Sequence, residues 1–247
     1  MDKQFVVATR YFESDTTKGV ASLARLREFA QNALAAGAAR VYVAVNAAVD
    51  VSQALEQVWP ENVTVFPVTP WGGFVMPLNA LLLAAREELA RGAKFVTASV
   101  EVKITAKAVG ALLDQLDDQT LVVGAALLGH QFKKGSHQNA LGREVPWNTL
   151  AVWNSFLWVT GFPLMGDGPL GEPQNKGVEE LFTIAAFQRM YPSALAKLVP
   201  VAGQTWDTST FDGERLAKHE AKMASKNSRP AAQLVAAQLP GPTVVHV

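Results

Sequence analysis

The chain is expected to fold as an α/β protein built on a mostly parallel, doubly wound central sheet with helices on both faces. Three observations predict this. Strand-like and helix-like patterns alternate from residue 5 to residue 128, the rhythm of β-α-β crossovers. Runs such as Arg40–Asn46 (RVYVAVN) are apolar at successive positions, as strands covered on both faces require. Hydrophobic residues make up 49% of the 247, enough to fill a core of that size.

In chain order, residues 5–12 form a first strand. Residues 23–36 carry Leu23, Leu26, Ala30 and Leu34 at helical spacing, and Gly37 stops the helix. Strands follow at 40–46 and 63–68, with a short helix at 51–58 between them. The turn Trp71-Gly72-Gly73 leads into a long helix over 77–91, closed by Gly92. A fourth strand over 94–102 precedes a helix N-capped by Thr105 and running to residue 116, and residues 120–128 form a fifth strand. Beyond that the rhythm changes. Residues 130–146 read as a loop or irregular strands, and 149–160 as a strand passing into a helix. Glycines and prolines mark a flexible loop at 161–176. A helix at 177–190, a short strand at 198–201 and a charged helix at 214–226 complete the pattern. Residues 1–229 are expected to form a single domain, and 230–247, rich in Ala, Gln and Pro, a loosely held tail.

Composition removes several functions. Lys plus Arg equals Asp plus Glu at 22 each, which argues against the basic surface that non-specific nucleic-acid binding needs. The absence of cysteine excludes disulfides, thiolate zinc sites and a cysteine nucleophile. No stretch has the roughly 20 apolar residues of a membrane span. The apolar run at residues 5–8 is too short for a signal-peptide core, so a cytoplasmic protein is expected. No G-x-G-x-x-G follows the first strand, which sets a Rossmann dehydrogenase aside.

Two segments carry a family resemblance. Residues 79–116 (NALLLAAREELARGAKFVTASVEVKITAKAVGALLDQL) run helix, small turn, strand and capped helix, with Ser99-Val100-Glu101 at the strand end. Residues 177–201 (GVEELFTIAAFQRMYPSALAKLVPV) open a helix on the acidic pair Glu179-Glu180, then turn into a strand ending in proline. Together with residues 153–164 (WNSFLWVTGFPL), this order resembles the family 2-like nucleotide-sugar glycosyltransferases of the GT-A fold, over residues 5–201. The resemblance implies a sugar transfer, of the inverting kind, from a nucleotide-diphosphate sugar to a hydroxyl acceptor. Ser99-Val100-Glu101 then stands where the family has Asp-x-Asp, so one carboxylate of the pair is replaced by a hydroxyl.

Departure of a nucleoside diphosphate needs charge neutralisation, commonly by a divalent metal held by oxygen ligands. The resemblance implies manganese or magnesium at Glu101, helped by His219; a metal-free site would instead use Lys103, Lys133 or Arg10. By position Glu180 is the implied base, with Glu179 beside it, although acidic residues also suit the first turn of any helix. The donor is expected to meet Thr9, Arg10 and Tyr11 at the end of the first strand, Asn46 at the end of the second, Gly72 and Gly73, and Ser99. Trp147 and Trp153 are the acceptor-side candidates, since sugars stack on aromatic rings; Trp147, after Pro146, is the one expected to be exposed. The basic stretch Arg215, Lys218, Lys222, Lys226 and Arg229 reads as a solvated face or interaction tail. Two alternatives stand beside the enzyme. One is a catalytically inactive GT-A-like protein that binds a nucleotide or glycan or acts as a scaffold. The other is a nucleotidyltransferase of related fold, ranked last because residues 13–19 lack a glycine cluster.

Overall fold

In the computed structural model of the chain, residues 4–12, 20–46, 59–167, 178–209, 211 and 213–247 are described. The strands are β1 (Phe5–Tyr11), β2 (Arg40–Asn46), β3 (Val63–Val68), β4 (Lys94–Ala98), β5 (Thr120–Ala125), β6 (Gly135–His137), β7 (Leu150–Trp153), β8 (Leu195–Val199) and β9 (Val244–His246). The helices are α1 (Val20–Ala35), α2 (Val75–Ala84), α3 (Arg86–Ala90), α4 (Ala106–Leu113), α5 (Leu157–Thr160), α6 (Glu179–Met190), α7 (Gly213–Ala224) and α8 (Arg229–Ala236). All nine strands join one sheet in the order β3-β2-β1-β4-β7-β5-β8-β9-β6. The β3-β2-β1-β4 run is parallel, β7 is antiparallel to both neighbours, and β5-β8-β9 is parallel again.

Strand alternation sorts the core into two layers. Val6, Ala8, Tyr42, Ala44 and Phe95 face one side and pack with Leu78 and Leu81 of α2 and Leu181 and Ile184 of α6. Val7, Val41, Val43 and Val96 face the other and pack with Leu26 and Phe29 of α1 and Val109 and Leu112 of α4. Helices therefore cover both faces, as the apolar runs predicted. Thr105 caps α4 as expected, its hydroxyl accepting from the Ala108 amide at 3.1 Å. Among the described residues no helix is long and apolar enough to cross a membrane.

Three expectations change. The long helix over 77–91 is interrupted at Ala85, where ψ opens to 6°, and continues as the short α3. Beyond the break Glu88 accepts from the Tyr42 hydroxyl at 3.0 Å and pairs with Arg40 at 3.1 Å. The strand over 94–102 ends at Ala98, because Val102 turns back to bond Ser99. The supposed tail is instead built into the sheet. β9 lies between β8 and β6, Val244 and His246 are buried, and the Gln188 side chain both accepts from the Thr243 amide and donates to its carbonyl, each at 2.8 Å. The helix expected at 51–58, the loop at 13–19 and residues 168–176 of the expected loop lie outside the described residues.

One buried histidine ties the fold to pH. His130 stacks on Trp147 with ring centroids 3.5 Å apart; its Nδ1 accepts from the Leu127 amide at 2.9 Å and its Nε2 donates to the Val145 carbonyl at 3.1 Å. Burial pushes its pKa from 6.5 down to about 3, so the folded protein keeps it neutral. The unfolded chain takes up a proton below about 6.5 that the folded chain refuses, so this residue's contribution is intact above that pH and is lost as pH falls towards 3. We expect the melting midpoint to drop between pH 7 and pH 5, and His130→Gln to flatten that drop while lowering the midpoint at pH 7; equal slopes in the two proteins would reject the assignment.

Candidate functional site

A cavity of about 690 Å³ opens beyond the carboxyl ends of β1 and β4 and the start of β7. This is where strand order reverses, since the chain leaves β1 for β2 on one side and β4 on the other, and open α/β sheets bind ligands at such a point. Ala8 and Arg10 of β1, Thr97 of β4 and Ser99 just past its end face it. The period of two that turns Arg10 inward turns Thr9 and Tyr11 away. Thr9 is buried and Tyr11 packs in the opposite layer, so neither stands at the cavity wall. Asn46 is buried at the end of β2 and does not reach the cavity either.

Glu179 and Glu180 open α6 and both line the cavity while only 5% and 4% exposed. Glu179 Oε1 pairs with Arg10 at 3.1 Å, and Arg10 also donates to the Phe74 carbonyl at 2.7 Å. Glu180 Oε1 accepts from the Asn148 amide at 2.7 Å, and Glu180 Oε2 has no hydrogen-bond partner among the described residues. Burial works against ionisation of Glu179, but Arg10, Lys222 and Lys226 outweigh it and hold the carboxyl below the usual range. Burial, reinforced by the charge of Glu179, pushes Glu180 up. Asn148 was not foreseen. Its Oδ1 is held by the Trp153 indole at 2.9 Å and the Thr97 hydroxyl at 3.1 Å, which aims its amide group at the acidic pair.

Gly72 and Gly73 line the cavity at the entrance to α2, Gly72 with φ 64°. Gly73 is required for packing. A Cβ there would stand 2.5 Å from the carboxyl carbon of Asp167, which ends a 3-10 turn over Leu164–Asp167. Asp167 caps α2 from a distance in sequence: Oδ1 accepts from the Phe74 amide at 2.5 Å, and both oxygens accept from the Val75 amide, at 3.2 and 3.1 Å. No local pattern announces a cap supplied 93 residues away.

The opposite wall is α7 and the turn after it. Arg215, Lys218, His219, Lys222 and Lys226 line the cavity, and with Arg229 their spacing of three and four residues is that of one helical face. That spacing was the overlooked signal; the stretch read as a solvated face. Lys103 and Lys133 do not reach the cavity, so of the three expected neutralising cations only Arg10 is in place.

Glu101 reaches the cavity, but both its oxygens are engaged: Oε1 pairs with Arg215 at 2.5 Å and Oε2 accepts from the Ser99 hydroxyl. His219 lies on the same wall with its ring edge-on to Trp206 and Phe211. A hard divalent ion takes six or more oxygen ligands with carboxylates prominent among them. Among the described residues no group of three or more His, Asp or Glu side chains could hold one. With Glu101 taken up by Arg215 and Ser99, the residues as placed offer no open carboxylate at the end of β4 for the manganese or magnesium ion that the resemblance implied.

The acceptor-side tryptophans differ from expectation. Trp147 is 1% exposed, enclosed between His130 and Lys226 with its indole donating to the Gly142 carbonyl at 2.7 Å. Trp153 is fully buried, edge-on to Phe162. Neither ring stands at the cavity wall; the chain before β7 runs into the sheet interior, so the loop position of Trp147 did not expose it.

No protein-family model and no curated protein matches the sequence. Solved structures share the fold. S. aureus TarS 1-349, in complex with UDP-GlcNAc, is 15% identical with a TM-score of 0.53, over 87% of this chain and 60% of its own. A mycobacterial protein is 13% identical at 0.53, over 95% and 74%. Glucosyl-3-phosphoglycerate synthase from Mycobacterium tuberculosis, in complex with phosphoglyceric acid, is 13% identical at 0.51, over 97% and 81%. The chain thus has the fold of the GT-A nucleotide-sugar glycosyltransferases, while spanning 60% of the TarS chain it matches.

The contact between Gly73 and Asp167 can be tested by stability. Asp167→Ala is expected to cost about 1–2 kcal/mol through loss of the α2 cap. Gly73→Ala should cost a similar amount by displacing the same carboxylate. The double variant, measured by denaturant unfolding, should cost no more than the worse single change; additive losses would show that Gly73 acts elsewhere.

Proposed function

We propose that this chain is a glycosyltransferase that moves a sugar from a nucleotide-diphosphate donor to a hydroxyl acceptor with inversion. The observation that carries the proposal is Glu180, a buried carboxylate on a cavity wall whose Oε2 has no partner among the described residues. A base must be in place to take a proton yet be basic enough to hold it, and the upward shift of Glu180 suits that task. In the proposed step the acceptor hydroxyl gives its proton to Glu180 Oε2. The freed oxygen pair attacks the anomeric carbon, and the bond from that carbon to the diphosphate oxygen breaks, releasing a nucleoside diphosphate. Glu179, fixed by Arg10, stays ionised, and its charge raises the proton affinity of the Glu180 carboxylate that takes the proton.

The cavity supports a donor of this class in size and chemistry. Its volume falls in the ordinary range for a cofactor-sized ligand. Phe12, 56% exposed, lies 5.7 Å from Trp71 at the wall and offers a ring face to a nucleobase. The fold agrees, and TarS was solved with a nucleotide sugar. The second reading, a GT-A-like binding protein without turnover, is favoured by one observation, the engagement of Glu101 with Arg215 where the fold's enzymes have a paired carboxylate motif.

One assay separates the two readings, and one variant tests the base. Release of nucleoside diphosphate from a panel of UDP-, GDP- and CDP-sugars is expected for the native chain. Glu180→Gln should reduce it by about a hundredfold or more while changing donor affinity by less than about threefold. Joint loss of affinity and turnover would assign Glu180 to packing, and tight donor binding without any release in the native chain would favour the binding protein. The acidic limb of the native rate profile should also lie above the ordinary glutamate value of 4.5, with activity lost as pH falls through it.

A further inference from the structure

The cavity wall formed by α7 poses a question of charge that the proposed transfer leaves open. Lys222 and Lys226 both line the cavity, and neither ammonium makes a hydrogen bond or ion pair among the described residues. Lys222 sits over the Phe74 ring at 4.2 Å and Lys226 over the Trp147 ring at 4.0 Å, contacts that orient a cation without neutralising it. Lys226 is only 7% exposed. Lys222 is exposed, and its side chain lines the cavity. Arg10, Arg215, Lys222, Lys226 and Arg229 line a cavity whose lining carboxylates are Glu101, Glu179 and Glu180, and that excess of positive charge calls for an anion there.

The carboxylates meet this charge only in part. Glu179 pairs with Arg10 and Glu101 with Arg215, while Glu180, bonded through one oxygen to the Asn148 amide, reaches Lys222 and Lys226 only through space. Arg215 puts a fixed positive charge on the one carboxylate left at the β4 end, which is where a cation would otherwise bind. A guanidinium cannot be displaced by deprotonation, because it stays charged at any working pH.

We propose that the diphosphate of the donor is bound and neutralised by Lys222 and Lys226, with Arg215 closing Glu101 to metal, so that binding is independent of a divalent ion. The ligand class is a pyrophosphate or a nucleoside diphosphate. The proposal rests on the transferase reading for the identity of the ligand but not for the existence of an anion site.

The test uses the full chain and isothermal titration with inorganic pyrophosphate and with UDP, GDP, CDP and ADP, each in EDTA and in excess manganese. Binding is expected in EDTA with an affinity within about threefold of that in manganese, and Lys222→Met is expected to weaken it by about tenfold or more. Lys226→Met serves as the second variant if Lys222→Met fails to fold. Binding that appears only with manganese would overturn the metal-free site and leave the transferase reading standing. Pyrophosphate binding in EDTA with no nucleotide binding under any condition would uphold the site and sink the transferase reading. No binding of any probe would overturn both, and metal-free binding that neither lysine variant weakens would remove these lysines from the site.

Discussion

Two adjacent carboxylates buried at the start of α6 set the terms for everything around the cavity. Ionised side chains leave water only when other charges and dipoles replace it, and two like charges side by side make the demand greater. Arg10 meets it from β1, the Asn148 amide from the approach to β7, and the α6 N-terminus by its own dipole. Asn148 is in turn fixed by Trp153 and Thr97. Elements from three parts of the sheet are thereby drawn to one point, and the cavity is the space between them.

Charge also explains how the second wall comes to close over the first. Lys222 and Lys226 act on Glu179 and Glu180 through space without a direct contact, and Arg215 reaches Glu101 at the end of β4. The α7 segment is strongly polar and none of its residues is fully buried; Met223 packs in part against the core, and charge supplies the rest of what seats it. Ring contacts to Phe74, Trp147 and Phe211 steer its cations, and the carboxylates opposite attract them. The electrostatic balance of the cavity, positive on one wall and negative on the other, suits a ligand that is anionic at one end and carries a hydroxyl partner at the other.

Much of the scaffold was readable from periodicity, because strands covered on both faces, such as Arg40–Asn46, have little freedom to look like anything else. Thr105 could be placed because its capping bond is local. The acidic pair, Arg10, the two glycines, Ser99, Glu101 and His219 were brought to one cavity by segments whose order the sequence preserves. What escaped was of three kinds. Asp167 and Asn148 act across long sequence separations, where no pattern links partner to partner. Trp147 and β9 were misjudged because composition near a loop or an end says nothing about whether the chain turns inward there; Val244-Val245-His246-Val247 had strand character that the preceding prolines and glutamines masked. Thr9 and Tyr11 were misplaced by one position of a strand, which moves a side chain to the opposite face.

The ion pairs that define the cavity join residues far apart along the chain: Arg10 to Glu179 spans 169 positions and Glu101 to Arg215 spans 114. Contacts of that range bring loop-closure cost before they return any energy, so they belong to the last stages of folding rather than the first. The cavity is thus a product of the completed fold, and a partly folded chain has no fragment of it to offer. Until their distant partners are in place, its carboxylates and lysines have only water to meet their charge.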